Sequence, residues 1–329
     1  MADLSTSYMG IPLKNPLVVA ACAISNQIDQ IKRCEELGAG ALVIRSLFEE
    51  QILHDDSTMA DFLERAANIS PEIHSSFYPS VDFGGAREHM MWVEKTRRAV
   101  AMPLFASLNA VHPGSWVNYA KQLAETGIDG LEINYYYVAA DPDVTGAELE
   151  KRLVDIVASV KQAVNIPVAV KLSPFYTSVA NLVKQLEAAG ADAVVMFNRF
   201  LQPTIDIQEK TIVNEMALSH EFELKLPLRW VALLYGRTKL DLVLNTGVAS
   251  GADVIKGLLA GASAVQIASA LFRNGLPYLS TLQLEIESWM EENGYDTIDE
   301  FRGTVSQKHV TDLFGFERAQ YMDLLLAQE

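Results

Sequence analysis

One phrase returns four times along the chain: LGAGALVI at Leu37–Ile44, TGIDGLEI at Thr126–Ile133, AGADAVVM at Ala189–Met196 and AGASAVQI at Ala260–Ile267. Each starts where a helical apolar stripe stops, turns at a glycine and runs on into consecutive apolar positions. The glycine stands where a chain leaves a helix with positive φ. Apolar residues on both faces of a short run mark parallel strands buried on both sides. Junctions of this kind, repeated, predict a β/α architecture in which each strand follows a helix.

The remaining pattern extends the series. Strands are predicted at Pro16–Ala20, Ala41–Ile44, Pro103–Ser107, Leu131–Ile133, Pro167–Lys171, Ala193–Phe197, Leu242–Leu244 and Ala264–Ile267. Helical spacing predicts helices over Gln27–Leu37, Ala86–Val100, Ser115–Glu125, Ala147–Val164, Val179–Ala189, Leu226–Arg237, Ala252–Leu259 and Leu276–Glu292, with an extra C-terminal helix at Val305–Leu326. Eight strands and eight helices with no linker between them predict a single (β/α)8 TIM barrel over residues 1–329, in preference to an open doubly wound sheet. Two long segments, Leu47–Gly85 and Phe200–Lys225, follow the second and sixth strands. Loops after strands line the active face of such a barrel, and loops of this length carry function.

Composition narrows the class. The chain is 50% apolar and 21% charged, with a net charge of −16, as in a soluble acidic enzyme. That balance argues against nucleic-acid or anionic-membrane partners, which select basic patches. Cys22 and Cys34 form no CxxC motif, and the histidines show no ligand spacing, so neither a disulfide framework nor a metal site is expected. The N-terminus lacks the basic and apolar regions of a signal peptide, and Leu258–Phe272 is too short and mixed to span a bilayer. The expected location is the cytoplasm.

Candidate chemistry sits at the strand ends: Arg45 and Ser46, Asn109 and His112, Glu132 and Asn134 leading into Tyr135, Tyr136 and Tyr137, Lys171, and Asn198 with Arg199. A lysine ending a buried strand needs a partner for its charge. An anion or electron-rich ring would supply one; an ion pair with Glu132 would too. The small residues of Asp241–Gly275, namely Thr246, Gly247, Ala268 and Ser269, fit a phosphate cradle, where backbone N–H groups must approach closely; tight turns of an ordinary βαβ unit would need the same residues. No GxGxxG occurs anywhere. His112 has the chemistry of an acid or base. Asp82-Phe83-Gly84 lacks every other kinase element and is expected to be a loop turn.

The motifs NPLVVAA, GALVIRS, LEIN, VAVKLSP, NTGVASG and VQIASAL stand in an order and spacing that resemble the dihydroorotate dehydrogenase family, class 1-type, from about Leu13 to Phe301. The resemblance implies an FMN-containing (β/α)8 barrel that oxidises dihydroorotate to orotate in pyrimidine biosynthesis, and a homodimer. It also implies site residues: Lys171 beside the flavin; Asn134, Asn198 and Asn109 at the flavin edge or the planar substrate; Ala20 and Ala21 against the ring; Arg45 and Ser46 beside it; and Thr246, Gly247, Ala268 and Ser269 at the phosphate.

The departures from the family pattern fall on the substrate side. The family's Cys or Ser base corresponds to Tyr137, its strand-two lysine to Arg45, and its substrate loop to SSFYPSVDFGG. The glycine pair before strand seven is replaced by LKLPLRW, and the cradle carries Thr246 and Ala268 where the family has glycine. Tyr137, Lys171 and Arg45 are therefore the expected catalytic residues of an FMN oxidoreductase with an altered, small anionic substrate. Two alternatives are a Schiff-base lyase of aldolase type using Lys171, and a flavin-binding protein without dehydrogenase activity.

Overall fold

The computed structural model describes residues 2–48, 86–109, 113–200, 202–213 and 217–313, together with Phe316, Glu317 and Leu326. Eight parallel strands close into a barrel: β3 (Leu17–Val19), β4 (Ala41–Phe48), β5 (Leu104–Asn109), β6 (Gly130–Asn134), β7 (Val168–Leu172), β8 (Ala193–Met196), β11 (Asp241–Leu244) and β12 (Ala264–Ile267), with β12 returning to β3. The fold is the expected (β/α)8 TIM barrel.

Strand periodicity divides the core into two layers. Leu17, Val19, Leu42, Ile44, Leu131 and Ile133 face outward into the contact with the helices. Val18, Ala41, Val43, Phe105, Ala169, Val195, Val243 and Ala264 face the barrel axis. The inner row changes character along each strand. On β7 it runs from Ala169 to Lys171, on β12 from Ala264 to Gln266, and on β5 from Phe105 to Ser107. The barrel is apolar and tightly filled at the N-terminal end of its strands and polar at the C-terminal end.

A hairpin of β1 (Thr6–Tyr8) and β2 (Ile11–Leu13) plugs the apolar end. Tyr8 packs edge-on against Phe105 at 5.1 Å, and the Met9 N–H donates to Asp241 at 2.7 Å. A second hairpin, β9 (Thr204–Asp206) with β10 (Thr211–Val213), stands in the long excursion after β8. Neither hairpin is legible in the apolar pattern. Strand β4 continues to Phe48, so Arg45, Ser46 and Leu47 belong to it rather than to a loop starting at Leu47.

The helix expected over Val305–Leu326 does not start at Val305; α-helical backbone is first described at Leu313. Residues 301–306 are turns followed by a 3-10 turn at Gln307–His309, and most of the chain beyond Leu313 lies outside the described residues. His112, Asp82-Phe83-Gly84 and the loop to Gly85 also lie outside them. Among the described residues no helix is long and apolar enough to cross a membrane, no cluster of His, Cys, Asp and Glu is arranged to hold a metal, and both cysteines are free.

Candidate active site

The polar end of the barrel is built around three buried side chains from different strands. Lys171 Nζ donates to Gln266 Oε1 at 3.0 Å and lies 3.5 Å from Glu132 Oε1. Gln266 Nε2 in turn donates to Glu132 Oε2. Lys171 is 5% exposed, Glu132 and Gln266 1% each. Strand alternation puts all three on the axis, one step above the apolar plug. The ion pair that offered one explanation of a buried lysine is thus present, and the glutamine completes it. Glu132 Oε1 has no hydrogen-bond donor among the described residues. Gln266 was absent from the sequence-based candidates, although it is the one polar residue in AVQI.

Above this trio opens a cavity of about 140 Å3. Ala20 and Ala21 after β3, Lys171, Asn198, Thr246, Gly247, Ala268 and Ser269 all line it. Asn198 is fixed by donating to Asn134 Oδ1 at 2.8 Å. Asn245 and Thr246 each donate to the Phe197 carbonyl, at 2.7 and 2.9 Å, tying the end of β11 to the end of β8. Thr246 and Gly247 have φ of 77° and 81°. For a β-branched residue that conformation is strained and persists only where the surroundings enforce it.

Gly247 is required by packing. A Cβ there would lie 2.3 Å from the Leu224 backbone nitrogen. The segment it packs against brings in Ser219, which no sequence signal identified. Ser219 Oγ donates to Ser269 Oγ at 2.9 Å and accepts from the Gly247 N–H at 3.3 Å, while Arg273 donates to the Ser219 carbonyl at 2.6 Å. A 3.3 Å bond is long for N–H···O, so the Gly247 amide is still available to a stronger acceptor such as a phosphate oxygen.

The remaining predicted residues are dispersed around this centre. Strand β4 shifts register between Ile44 and Leu47, a bulge that carries Arg45 and Ser46. The Arg45 N–H donates to Ser25 Oγ at 2.8 Å, and Ser46 Oγ pairs with Ser107 Oγ at 2.7 Å. Burial pulls the Arg45 guanidinium below its usual pKa. Beside it His89 is buried, and burial followed by the Arg45 charge lowers its pKa to about 4. Asn109 ends β5, buried, opposite Phe48. Cys22, near Lys171, has its thiol pushed up to about 11 by burial.

Tyr137 does not join the Lys171 cavity. It lines a separate pocket of about 530 Å3 over the ends of β6, β7 and β8, together with Tyr135, Ser173, Phe175, Tyr176 and Phe200. Tyr135 and Tyr137 stack at 6.1 Å, which turns the Tyr137 ring into an aromatic wall. Of the three expected catalytic residues, Lys171 lines the first cavity, Tyr137 lines this pocket, and Arg45 is among the lining residues of neither. Strand alternation explains the split: Asn134 ends the inner row of β6, and the chain leaves the barrel at Tyr135.

A family model described as "Dihydroorotate dehydrogenase" matches residues 84–290. The catalytic subunit of dihydroorotate dehydrogenase B (NAD(+)) from Thermoplasma volcanium is 26% identical over 94% of this chain and all of its own. That from Thermoplasma acidophilum is 28% identical over 92% of this chain and 99% of its own. Dihydroorotate dehydrogenase A (fumarate) from Lactobacillus helveticus is 25% identical over 93% of this chain and 99% of its own.

Proposed function

The chain belongs to the dihydroorotate dehydrogenase family, and we propose that it is an FMN-dependent oxidoreductase acting on a CH–CH bond of a substrate other than dihydroorotate. The observation that carries the flavin reading is the Lys171 cavity. Small residues line it at positions 20, 21, 247 and 268, a buried cation stands at its base, and the Gly247 amide is weakly engaged at its far side. This donor set fits a heteroaromatic ring that becomes electron-rich on reduction, with an anionic tail.

Bound there, FMN would supply the hydride acceptor. The chain's own residues then have separable tasks. Lys171 offers positive charge to the ring, and Glu132 and Gln266 hold its ammonium in place. Asn198, fixed by Asn134, presents its amide at the cavity edge. Thr246, Gly247 and Ser269 would hold the phosphate. Arg45, on the β4 bulge, cannot lose its proton and so serves charge recognition rather than base catalysis.

The altered substrate rests on Tyr137. It puts a larger ring where the family has Cys or Ser, and it lies outside the Lys171 cavity. It suits proton donation from the aromatic pocket. The lyase alternative is weaker, because the Lys171 amine is engaged by Gln266 and faces Glu132 rather than standing free for a carbonyl. Two measurements test the proposal. The purified protein should be yellow, with releasable FMN; a colourless protein that takes up no FMN refutes the cofactor. Anaerobic mixing with excess dihydroorotate should leave the flavin oxidised for minutes. Bleaching at an ordinary turnover rate of ~1–10³ per second would return the family substrate to this chain.

A further inference from the structure

We propose that the pocket beside the Lys171 cavity binds an organic cation with an apolar body. Its size, about 530 Å3, is that of a small-molecule site. Five aromatic side chains line it: Tyr135, Tyr137, Phe175, Tyr176 and Phe200. The charged group on its wall is the carboxylate of Glu150, and no lysine, arginine or histidine is found among the described residues lining it. Ring faces carry negative quadrupole charge, so several rings with one carboxylate attract a cation and repel an anion.

Of the neighbouring cations, Arg199 is directed elsewhere. Arg199, next in sequence to Phe200, donates to Glu223 at 2.8 Å and to the Ala217 carbonyl. Arg152 acts on the Tyr135 hydroxyl but does not line the space. The rings support one another: Phe200 stacks on Tyr136 at 4.3 Å and meets Phe175 edge-on at 5.3 Å. Yet Phe175 remains 70% exposed at the mouth. A ring held in place by its neighbours and left in water has a face to offer a ligand. The anionic substrate suggested by Arg45 does not apply to this pocket, since Arg45 is not among its lining residues.

The pocket shares its wall with the Lys171 cavity. Asn134 runs into Tyr135, Lys171 leads to Ser173, and Asn198 leads to Phe200. The assignment does not rest on the proposed function, because it takes the pocket as a binding site in its own right. Binding is therefore measured apart from redox chemistry, in flavin-free and flavin-loaded full-length protein alike, while the visible spectrum reports separately on the flavin.

The experiment is calorimetric titration with benzyltrimethylammonium, benzyl alcohol and benzoate. The cation should bind about tenfold or more tightly than the neutral alcohol, and benzoate weakest. Glu150→Gln and Phe175→Ala should each weaken the cation several-fold. Both side chains are at least partly exposed, so thermal unfolding should be unchanged and the fold preserved. Three results overturn the proposal: no binding of the cation, equal or tighter binding of either control, or cation affinity indifferent to both substitutions.

Discussion

At the scale of single residues, the consequential finding is that Lys171 has a protein counter-ion. A lone buried ammonium would leave its whole field for a ligand; one lying 3.5 Å from Glu132 leaves less. The two substitutions should therefore act in opposite directions on a bound flavin. Lys171→Ala removes the charge that stabilises the reduced, anionic ring and should lower its midpoint potential. Glu132→Gln removes the opposing carboxylate while keeping an acceptor for Gln266, and should raise it. Each shift is worth on the order of 1–3 kcal/mol, the range of a hydrogen bond to a charged group. Redox titration of the two variants checks this. A common direction, or unchanged potentials, would mean that the trio does not touch the ring.

At the scale of elements, the apolar closure of the barrel and its polar mouth depend on different pieces of chain. Tyr8, on β1, is 1% exposed among Phe105, Val18 and the other inward residues. Tyr8→Ala should lose about 3–5 kcal/mol, the cost of emptying an aromatic site in a packed core. Urea unfolding would measure it, and a loss below about 1 kcal/mol would show that the hairpin is not part of the folded barrel. At the other end, Gly247→Ala must place a methyl against Leu224 at positive φ. It should lower both flavin retention and the melting temperature.

These two elements also mark what the sequence discloses. The barrel strands are legible because burial on both faces leaves uninterrupted apolar runs, and Lys171 is legible because it breaks one of them. The cradle residues Gly247 and Ser269 follow from small side chains at strand ends. The hairpin is not legible: TSY and IPL are three residues each, and the first position of their Met9-Gly10 turn is a methionine at φ 54°, where asparagine, aspartate or glycine gives the usual signal. Ser219 is hidden for another reason. Its role comes from a contact with Ser269, fifty residues away, that leaves no local pattern. Tyr137 could be located at a strand end, but which of two cavities it faces depends on where the chain leaves the barrel.

At the scale of the whole molecule, burial of one titratable group on the outer wall couples stability to pH. His89 lies on the helix Ala86–Ala99, 4% exposed, and its Nε2 has no partner among the described residues. Burial, then the neighbouring Arg45, lowers its pKa from 6.5 to about 4 in the folded protein. Between those two values the unfolded chain binds a proton that the folded chain refuses. The neutral ring's contribution is therefore complete above pH 6.5, falls as the pH drops, and is gone below about 4. The span corresponds to about 3 kcal/mol at 1.36 kcal/mol per pH unit. The carboxylates of Glu223 and Asp253, held below their ordinary values of 4.5 and 3.8, begin to lose their contribution as the pH falls towards those values. The His89 effect is therefore read cleanly above about pH 5, and by difference from the variant below it. Chemical unfolding at intervals from pH 7.5 to 4 should show the wild-type protein losing stability over that window. His89→Leu, which removes the titration and keeps an apolar side chain of similar bulk, should lose about 3 kcal/mol less over it. Parallel curves for the two proteins would show that His89 is not the group responsible.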